Sequence, residues 1–285
     1  MNYSELKTAK TDRTLSKVVW PSGAHCAVTF TFDFDAQTLF HSIKTDAVQT
    51  TQGEFGARVG IWRVLDLLDK LNVKATFFVP GLTAELYPEA AKAIADRGHE
   101  LGCHGYAHEG AQNLSYHEEV EFLKKTTKII ENVSGKKPRG WKPPGGQLSP
   151  NTLKILIDTG FRYIANGIAD DIPYQWVVEG GSRNLTVIPF DWALVDATFF
   201  FTLSSISGKT LWPPSEILGL WNEEFDARYK LGRYHNLTCH PFCMGRAHRL
   251  FVLERHIEYI RSHPDVWIAP CIDIVNYWEK AYPDH

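Results

Sequence analysis

At 285 residues, with 44% hydrophobic and 22% charged residues, the chain can build one large core or two ordinary domains. A net charge of −3 gives no reason to expect a polyanion or an anionic membrane surface as partner. No run reaches the length of a membrane span, Met1–Lys17 lacks the apolar stretch of a signal peptide, and the five cysteines are odd in number and irregularly spaced. A cytoplasmic, reduced setting is therefore expected.

Residues 1–19 read as an N-terminal arm and 20–285 as a single domain, with a turn at Pro21-Ser22-Gly23. The first strand runs from Cys26 to Asp33 and ends in two carboxylates, Asp33 and Asp35. Side chains alternate on a strand, so both acids point one way and Phe34 the other. Two like charges side by side at an apolar strand end call for a positive neighbour, a metal ion foremost. Residues 36–56 are polar, glycine-bearing and without clear period, which reads as a long loop. Val59–Leu71 has a helical apolar face, and Ala75–Val79 is a second strand stopped by Pro80-Gly81.

The unit then repeats. Thr83–Arg97 is predicted as a helix closed by Gly98, and Glu100–Cys103 as a strand. Ser115 and Glu118 form a capping box for a long helix to Val133. A short strand at Arg139–Lys142 runs into Pro143-Pro144-Gly145-Gly146. Helix Ser149–Thr159 and strands Phe161–Ala165 and Leu185–Pro189 follow, then an aromatic-rich excursion from Phe190 to Pro214. The chain ends with a helix to Lys230, a strand at His235–Cys239, a helix at Ala247–Arg261, a strand at Val266–Ala269 and a helix from Ile272. Strands alternating with helices predict an α/β fold. Seven or eight mostly parallel strands favour a distorted (β/α) barrel over an open doubly wound sheet. No GxGxxG follows a strand and no GxxxxGK occurs, which argues against dinucleotide and nucleotide sites.

In such a barrel the C-terminal strand ends converge on one mouth. Asp33, Asp35, His104, His108, Lys142, Asp191-Trp192 and His240-Pro241 all fall at such ends. An HxxxH spacing places His104 and His108 on one side of a helical turn, and a carboxylate from a neighbouring strand completes a two-histidine, one-carboxylate set. That set suits Zn²⁺ but also Fe²⁺. Cys239 and Cys243 flank His240-Pro241 without a second cysteine pair and are read as packing.

Asp33-Phe34-Asp35, His104-Gly105-Tyr106-Ala107-His108, Lys142-Pro143-Pro144-Gly145-Gly146, Asp191-Trp192 and His240-Pro241 occur in the order and spacing of the polysaccharide deacetylase family, the NodB-homology domain of carbohydrate esterase family 4. Ala75–Gly81 and Gly98–Gly102 are similar too, and the resemblance spans Trp20 to Trp278. It implies a NodB-like distorted barrel binding one divalent ion, Zn before Mn, Co or Ni, through Asp35, His104 and His108. It further implies Asp33 as general base, His240 as general acid, and Lys142 and Asp191 as the residues fixing Asp33 and His240. Tyr106, Trp192, Pro144 and Gly145 would line the pocket.

Two departures are visible. Phe34 separates acids that are usually adjacent, and Lys142 stands where the family usually has Arg, whose bidentate fork Lys cannot reproduce. The spaced acids resemble a branch that includes peptidoglycan deacetylase-like proteins, cyclic imide hydrolases and an allantoinase, a branch tending to homotetramers. The expected activity is hydrolysis of a non-peptide C–N bond, N-deacetylation ahead of opening a cyclic imide or ureide. A small-molecule or sugar substrate and a homo-oligomer are expected, with neither nucleic acid nor membrane as partner. A degenerate sugar- or metabolite-binding barrel and a non-haem iron oxygenase are the competing classes.

Loops 36–56 and 166–214 are expected to wall the pocket, the latter carrying Trp176, Trp192, Phe199, Phe200, Phe201 and Trp212. His99 reads as a hydrogen-bonded core residue. His25, His41, His117, His235, His248, His256 and His263 have no partner at ligand spacing, and Arg246 reads as a surface charge at a helix start.

Overall fold

The computed structural model of the chain describes residues 9–10, 13–178, 183–203 and 211–285. β1 (Cys26–Asp33) is buried along its whole length and lies next to the β8 end of the sheet. It pairs in parallel with β2 (Thr76–Val79) in the register Thr31 to Thr76, and with β8 (Tyr234–Cys239) in the register Phe32 to Cys239. From β2 the sheet runs through β3 (Glu100–Cys103), β4 (Gly140–Trp141), β5 (Tyr163–Gly167), β7 (Leu185–Pro189) and β6 (Tyr174–Trp176), while β9 (Val266–Ile268) pairs with the start of β1. Eight of the nine strands among the described residues are those read from the sequence. The ninth, β6, is only three residues long, and its antiparallel hairpin with β7 leaves no periodic signal.

The curved sheet is distorted where β6 and β7 approach β8. Among the described residues no ladder joins them; Asn236 Nδ2 donates to the Pro189 carbonyl at 2.9 Å, and Tyr234 N to the Asp171 carbonyl at 3.1 Å. Alternation on the strands then divides the apolar side chains into two cores. Val28, Phe30, Phe32 and Phe34 point outward against the helices, with Phe32 stacked on Phe77 at 4.9 Å. Phe78, Tyr163, Ala165, Ile188 and Tyr234 point inward. The N-terminal end of this interior is sealed by Trp20 and by Ile274, Val275 and Trp278 of the last helix. Glu100 lies among them and is matched by Thr76 Oγ1 at 2.7 Å, Tyr163 Oη at 2.8 Å and the Ile272 amide at 2.9 Å.

The connecting helices are α1 (Thr38–Ser42), α2 (Ala47–Phe55), α3 (Ile61–Lys70), α4 (Gly81–Leu86), α5 (Pro88–Asp96), α6 (Tyr116–Ser134), α7 (Thr152–Asp158), α8 (Asp196–Phe200), α9 (Pro214–Leu231), α10 (Pro241–Met244), α11 (Ala247–Arg261) and α12 (Cys271–Ala281). The Ser115–Glu118 capping box that opens α6 is formed as read. Two expectations fail. The helix read over Thr83–Arg97 is two helices, because Pro88 forbids the helical conformation at Tyr87, whose φ and ψ are −129° and 59°. The 36–56 segment is helical: Asp46 caps α2 by accepting from the amides of Val48 and Gln49, and α2 runs through a π-helical turn at Gly56–Gly60 into α3.

Residues 1–8 and 11–12 of the arm, 179–182 and 204–210 lie outside the described residues. Of the arm, Ala9 bridges to Trp176, and the Val19 carbonyl accepts from the hydroxyls of Tyr277 and Tyr282. All five cysteines are buried and none is in a disulfide. No helix among the described residues is long and apolar enough to cross a membrane.

Candidate active site

β1 carries Asp33 to the barrel mouth, and the Phe34 amide, donating to the Phe78 carbonyl at 2.9 Å, keeps the chain extended one residue further. Asp35 is locked beyond it: its carbonyl accepts from Thr38 Oγ1 at 2.6 Å and Thr83 Oγ1 at 2.7 Å. Both carboxylates therefore face one point, and His240 Nε2 lies 3.6 Å from Asp33 and 3.9 Å from Asp35.

β3 ends at His104, whose Nδ1 lies 2.8 Å from the Lys142 carbonyl. A carbonyl only accepts, so Nδ1 carries the proton and Nε2 offers a lone pair, 3.5 Å from Asp35 Oδ1. His108 is set the same way. Ser42 Oγ spends its proton on the Leu39 carbonyl at 2.8 Å and so accepts from His108 Nδ1 at 3.2 Å, which leaves Nε2 free 3.9 Å from Asp35 Oδ2. The two rings do not share a helical turn as the spacing had implied. Residues 104–108 are a loop that reverses through Gly105 (φ 68°) and His108 (φ 59°), bringing the imidazole centroids to 5.1 Å. Only glycine takes the first of these conformations without cost.

The donor atoms of Asp35, His104 and His108 lie within 4.8 Å of one another. Asp35 Oδ1, Asp35 Oδ2 and Asp33 Oδ1 are buried without a hydrogen-bond partner. Burial holds His104 and His108 at about 4, so both are neutral at physiological pH. One carboxylate and two neutral imidazoles with lone pairs directed inward fit a divalent ion of the zinc type, and the orphaned oxygens need such a charge.

Around this cluster the electrostatics are divided. Burial pushes Asp35 up, and the charge of Asp33 adds to it. For Asp33 burial acts the same way and is the largest single effect, but the Lys142 ammonium at 2.7 Å, together with His104 and His240, outweighs it and holds the carboxyl below its usual range. Lys142 is steadied by Thr238 Oγ1 at 3.4 Å and by the Phe190 ring at 5.4 Å. Burial alone would lower His240. The charge and hydrogen bond of Asp196 reverse that and, with Asp33 and Asp35, raise it to about 9.

That partner corrects the sequence reading. Asp191 does not reach His240: its Oδ1 caps the turn at Ala193, and its Oδ2 faces Arg228 of α9 at 2.6 Å. Asp196, fully buried at the start of α8, accepts from His240 Nδ1 at 2.7 Å and from the His240 amide at 2.8 Å. No motif marked it, because only the fold carries the Ala193–Val195 turn back across β8, where Val195 bridges to Thr238.

The cavity over the cluster measures about 160 Å³ and is lined by Gly145 and Trp192 as expected, together with Leu39, Asn166, Phe201 and Phe242. Tyr106 and Pro144 do not line it. The left-handed Gly105 turns Tyr106 away onto Phe122, with its hydroxyl on Glu85 at 2.8 Å, and Pro144 is buried against Gly105. Trp176 also lies elsewhere, at the edge of β6. Phe200 is buried behind the wall, and Phe199 rests on Trp212 at 6.1 Å.

A parallel barrel with carboxylates, imidazoles and a buried lysine converging on one mouth defines a barrel enzyme. Comparison with known proteins narrows the class. The family described as polysaccharide deacetylase matches residues 52–164. A peptidoglycan deacetylase of Helicobacter pylori is 31% identical over 245 residues, 77% of this chain and 84% of that protein. A Mycobacterium smegmatis structure assigned to the polysaccharide deacetylases superposes with a TM-score of 0.87 at 33% identity, over 94% of this chain and 95% of the other. The allantoinase PuuE shares the fold, with a TM-score of 0.82 at 24% identity over 93% of each chain. The chain belongs to the polysaccharide deacetylase family. It is a hydrolase of carbon–nitrogen bonds other than peptide bonds.

Proposed function

We propose that the protein removes the acetyl group from an N-acetylated amino sugar, with one divalent ion, zinc foremost, held by Asp35, His104 and His108. The observation that carries this reading is the placement beside that three-ligand cluster of a buried Asp33 carboxylate, one oxygen of which has no partner, with His240 Nε2 3.6 Å from the other. The 31% identity to a peptidoglycan deacetylase supports the substrate class.

An ion bound there supplies a positive charge that acidifies water and polarises a carbonyl. The chain supplies the rest. Asp33, kept ionised by Lys142, takes the proton of the attacking water at Oδ1. His240, kept charged by Asp196, gives the proton on Nε2 to the departing nitrogen. Phe201, Phe242 and Leu39 exclude bulk water, and Trp192, 58% exposed at the rim, offers a face for a sugar ring.

A second reading, hydrolysis of a cyclic imide or ureide, is favoured by the size and aromatic lining of the cavity, which suit a small flat ring. Metal-reconstituted protein assayed on N-acetylglucosamine oligomers, succinimide and allantoin separates the two. On the responsive substrate, Asp33→Ala is expected to cut kcat by at least about a hundredfold, the usual worth of a general base, with metal content unchanged. A near-normal rate in Asp33→Ala refutes the assignment.

A further inference from the structure

Away from the mouth, three arginines meet without a carboxylate partner among the described residues. The guanidinium of Arg246, the residue just before α11, lies 3.7 Å over the ring of Phe55, and that of Arg63 on α3 lies 5.9 Å from the same ring. Sharing one ring places the two cations within about 10 Å, roughly a Debye length at physiological salt. Arg249, on the first turn of α11, stacks over Phe200 at 4.7 Å.

Two of the three are pinned. Arg63 Nη1 donates to the Gly245 carbonyl at 3.1 Å, and Arg249 Nη1 to the Cys243 carbonyl at 3.3 Å. The approach is built into the backbone. A Cβ on Gly245 would come within 2.3 Å of Gly60 Cα, and one on Gly60 within 2.1 Å of the Pro241 carbonyl oxygen. These contacts press the π-turn ahead of α3 directly onto α10, and that contact brings Arg63 beside Arg246 and Arg249.

Arg97, Arg162, Arg228 and Arg233 each face a carboxylate within 4.0 Å. Arg63, Arg246 and Arg249 face none among the described residues. Burial, then the charges of Arg249 and Arg63, hold Arg246 below the usual guanidinium range. Exposed like charges that simply repelled would turn apart into solvent. Here aromatic stacking and backbone carbonyls hold the forks together at the surface.

We infer that Arg63, Arg246 and Arg249 form a binding site for a phosphoryl-type oxyanion, separate from the catalytic cavity. Guanidinium forks match the oxygens of such a group in geometry as well as charge. The anion is either a free phosphorylated metabolite or a lipid headgroup, and the chemistry of recognition is common to both.

The test is titration of the intact protein with inorganic pyrophosphate at low ionic strength, followed by calorimetry. Expected is saturable binding of one anion, weakened at least tenfold in Arg63→Gln and in Arg246→Gln, and weakened again by 0.2 M NaCl. Because neither side chain lines the cavity, turnover is expected to stay unchanged in both variants. Thermal melts of the variants without anion are expected to match the wild type or exceed it, since a like charge is removed. Absence of saturable binding overturns the inference. So does binding of equal strength in the variants, which places the anion elsewhere, such as at the metal ligands. Co-sedimentation with phosphatidylglycerol vesicles but not phosphatidylcholine vesicles, lost in Arg246→Gln, identifies the headgroup as the source. Pyrophosphate binding without vesicle binding identifies the free anion.

Discussion

Asp196→Asn isolates what the buried carboxylate does for His240. The replacement is isosteric, and the His240 amide, which only donates, fixes the new amide oxygen towards itself. The amide nitrogen then faces Nδ1, which must accept, so the ring is held neutral with its proton on Nε2. The size of the loss follows from the neighbours. His104 and His108 are buried beside the same two aspartates but lack an Asp196, and both sit at about 4, whereas His240 sits at about 9. A fall of His240 towards about 4 leaves roughly one protein in a thousand with a charged His240 at pH 7, equivalent to about 4 kcal/mol. The sign is that of a base whose pKa is raised in the folded enzyme. The acid role is intact below that pKa and lost as pH rises through it. The assay is kcat against pH from 5 to 10 on one responsive substrate, with metal content measured in parallel. The high-pH limb of the wild type near 9 should move to acid pH in the variant, with kcat at pH 7 down by two to three orders of magnitude. A variant within a few-fold of wild type at pH 7, with its limb unmoved, refutes the reasoning.

Two further expectations concern stability. Lys142→Met keeps the volume but strands the Asp33 charge 2.7 Å from where its partner was, and removing one member of a buried pair costs about 3–5 kcal/mol. Urea unfolding should show that loss at pH 7 and a smaller one near pH 4, where Asp33 is able to protonate. An equal loss at both values would contradict the charge argument. On the outer face of β8, His256 Nδ1 donates to Asn222 Oδ1 at 2.8 Å and so accepts at Nε2 from His235 Nε2 at 3.2 Å, which leaves His235 Nδ1 without a partner. Burial depresses both, His256 to about 3. Their contribution is complete above the unfolded value near 6.5 and falls by about 1.4 kcal/mol per pH unit per histidine from there towards pH 3. Urea midpoints of wild type and His256→Gln at pH 7 and pH 5 should therefore converge as pH falls. A constant gap between the two proteins would count against it.

Much of this molecule is legible from periodicity and punctuation. β1 reads directly because Cys26–Asp33 alternates apolar and polar side chains and stops at an acid, and α6 reads directly because Ser115 and Glu118 reciprocally satisfy its first amides. The 36–56 segment was not legible, since the short helix α1 is anchored by Phe40 packed on Phe201 and Phe242, partners some 160 to 200 residues away. The same limit applied at the site. Asp33, Asp35, His104, His108, Lys142 and His240 could be gathered from the rule that barrel strands share one mouth. The exchange of Asp191 for Asp196 could not, since Asp191 caps the Trp192–Leu194 turn and Asp196 opens α8, and only the fold decides which of them reaches His240.

Sequence by itself determined where the strands end and which chemical groups stand at those ends, because both are properties of local pattern. Tertiary structure decided which groups touch. It set the tautomers of His104 and His108 through a carbonyl on β4's exit and a serine on α1, and the charge of His240 through Asp196. It also brought Arg63 and Arg246 together over Phe55, with Arg249 beside them on Phe200. Those outcomes depend on distances between residues far apart in the chain. A few ångströms of low-dielectric space change a charge's energy by several kcal/mol, and no local pattern encodes that distance.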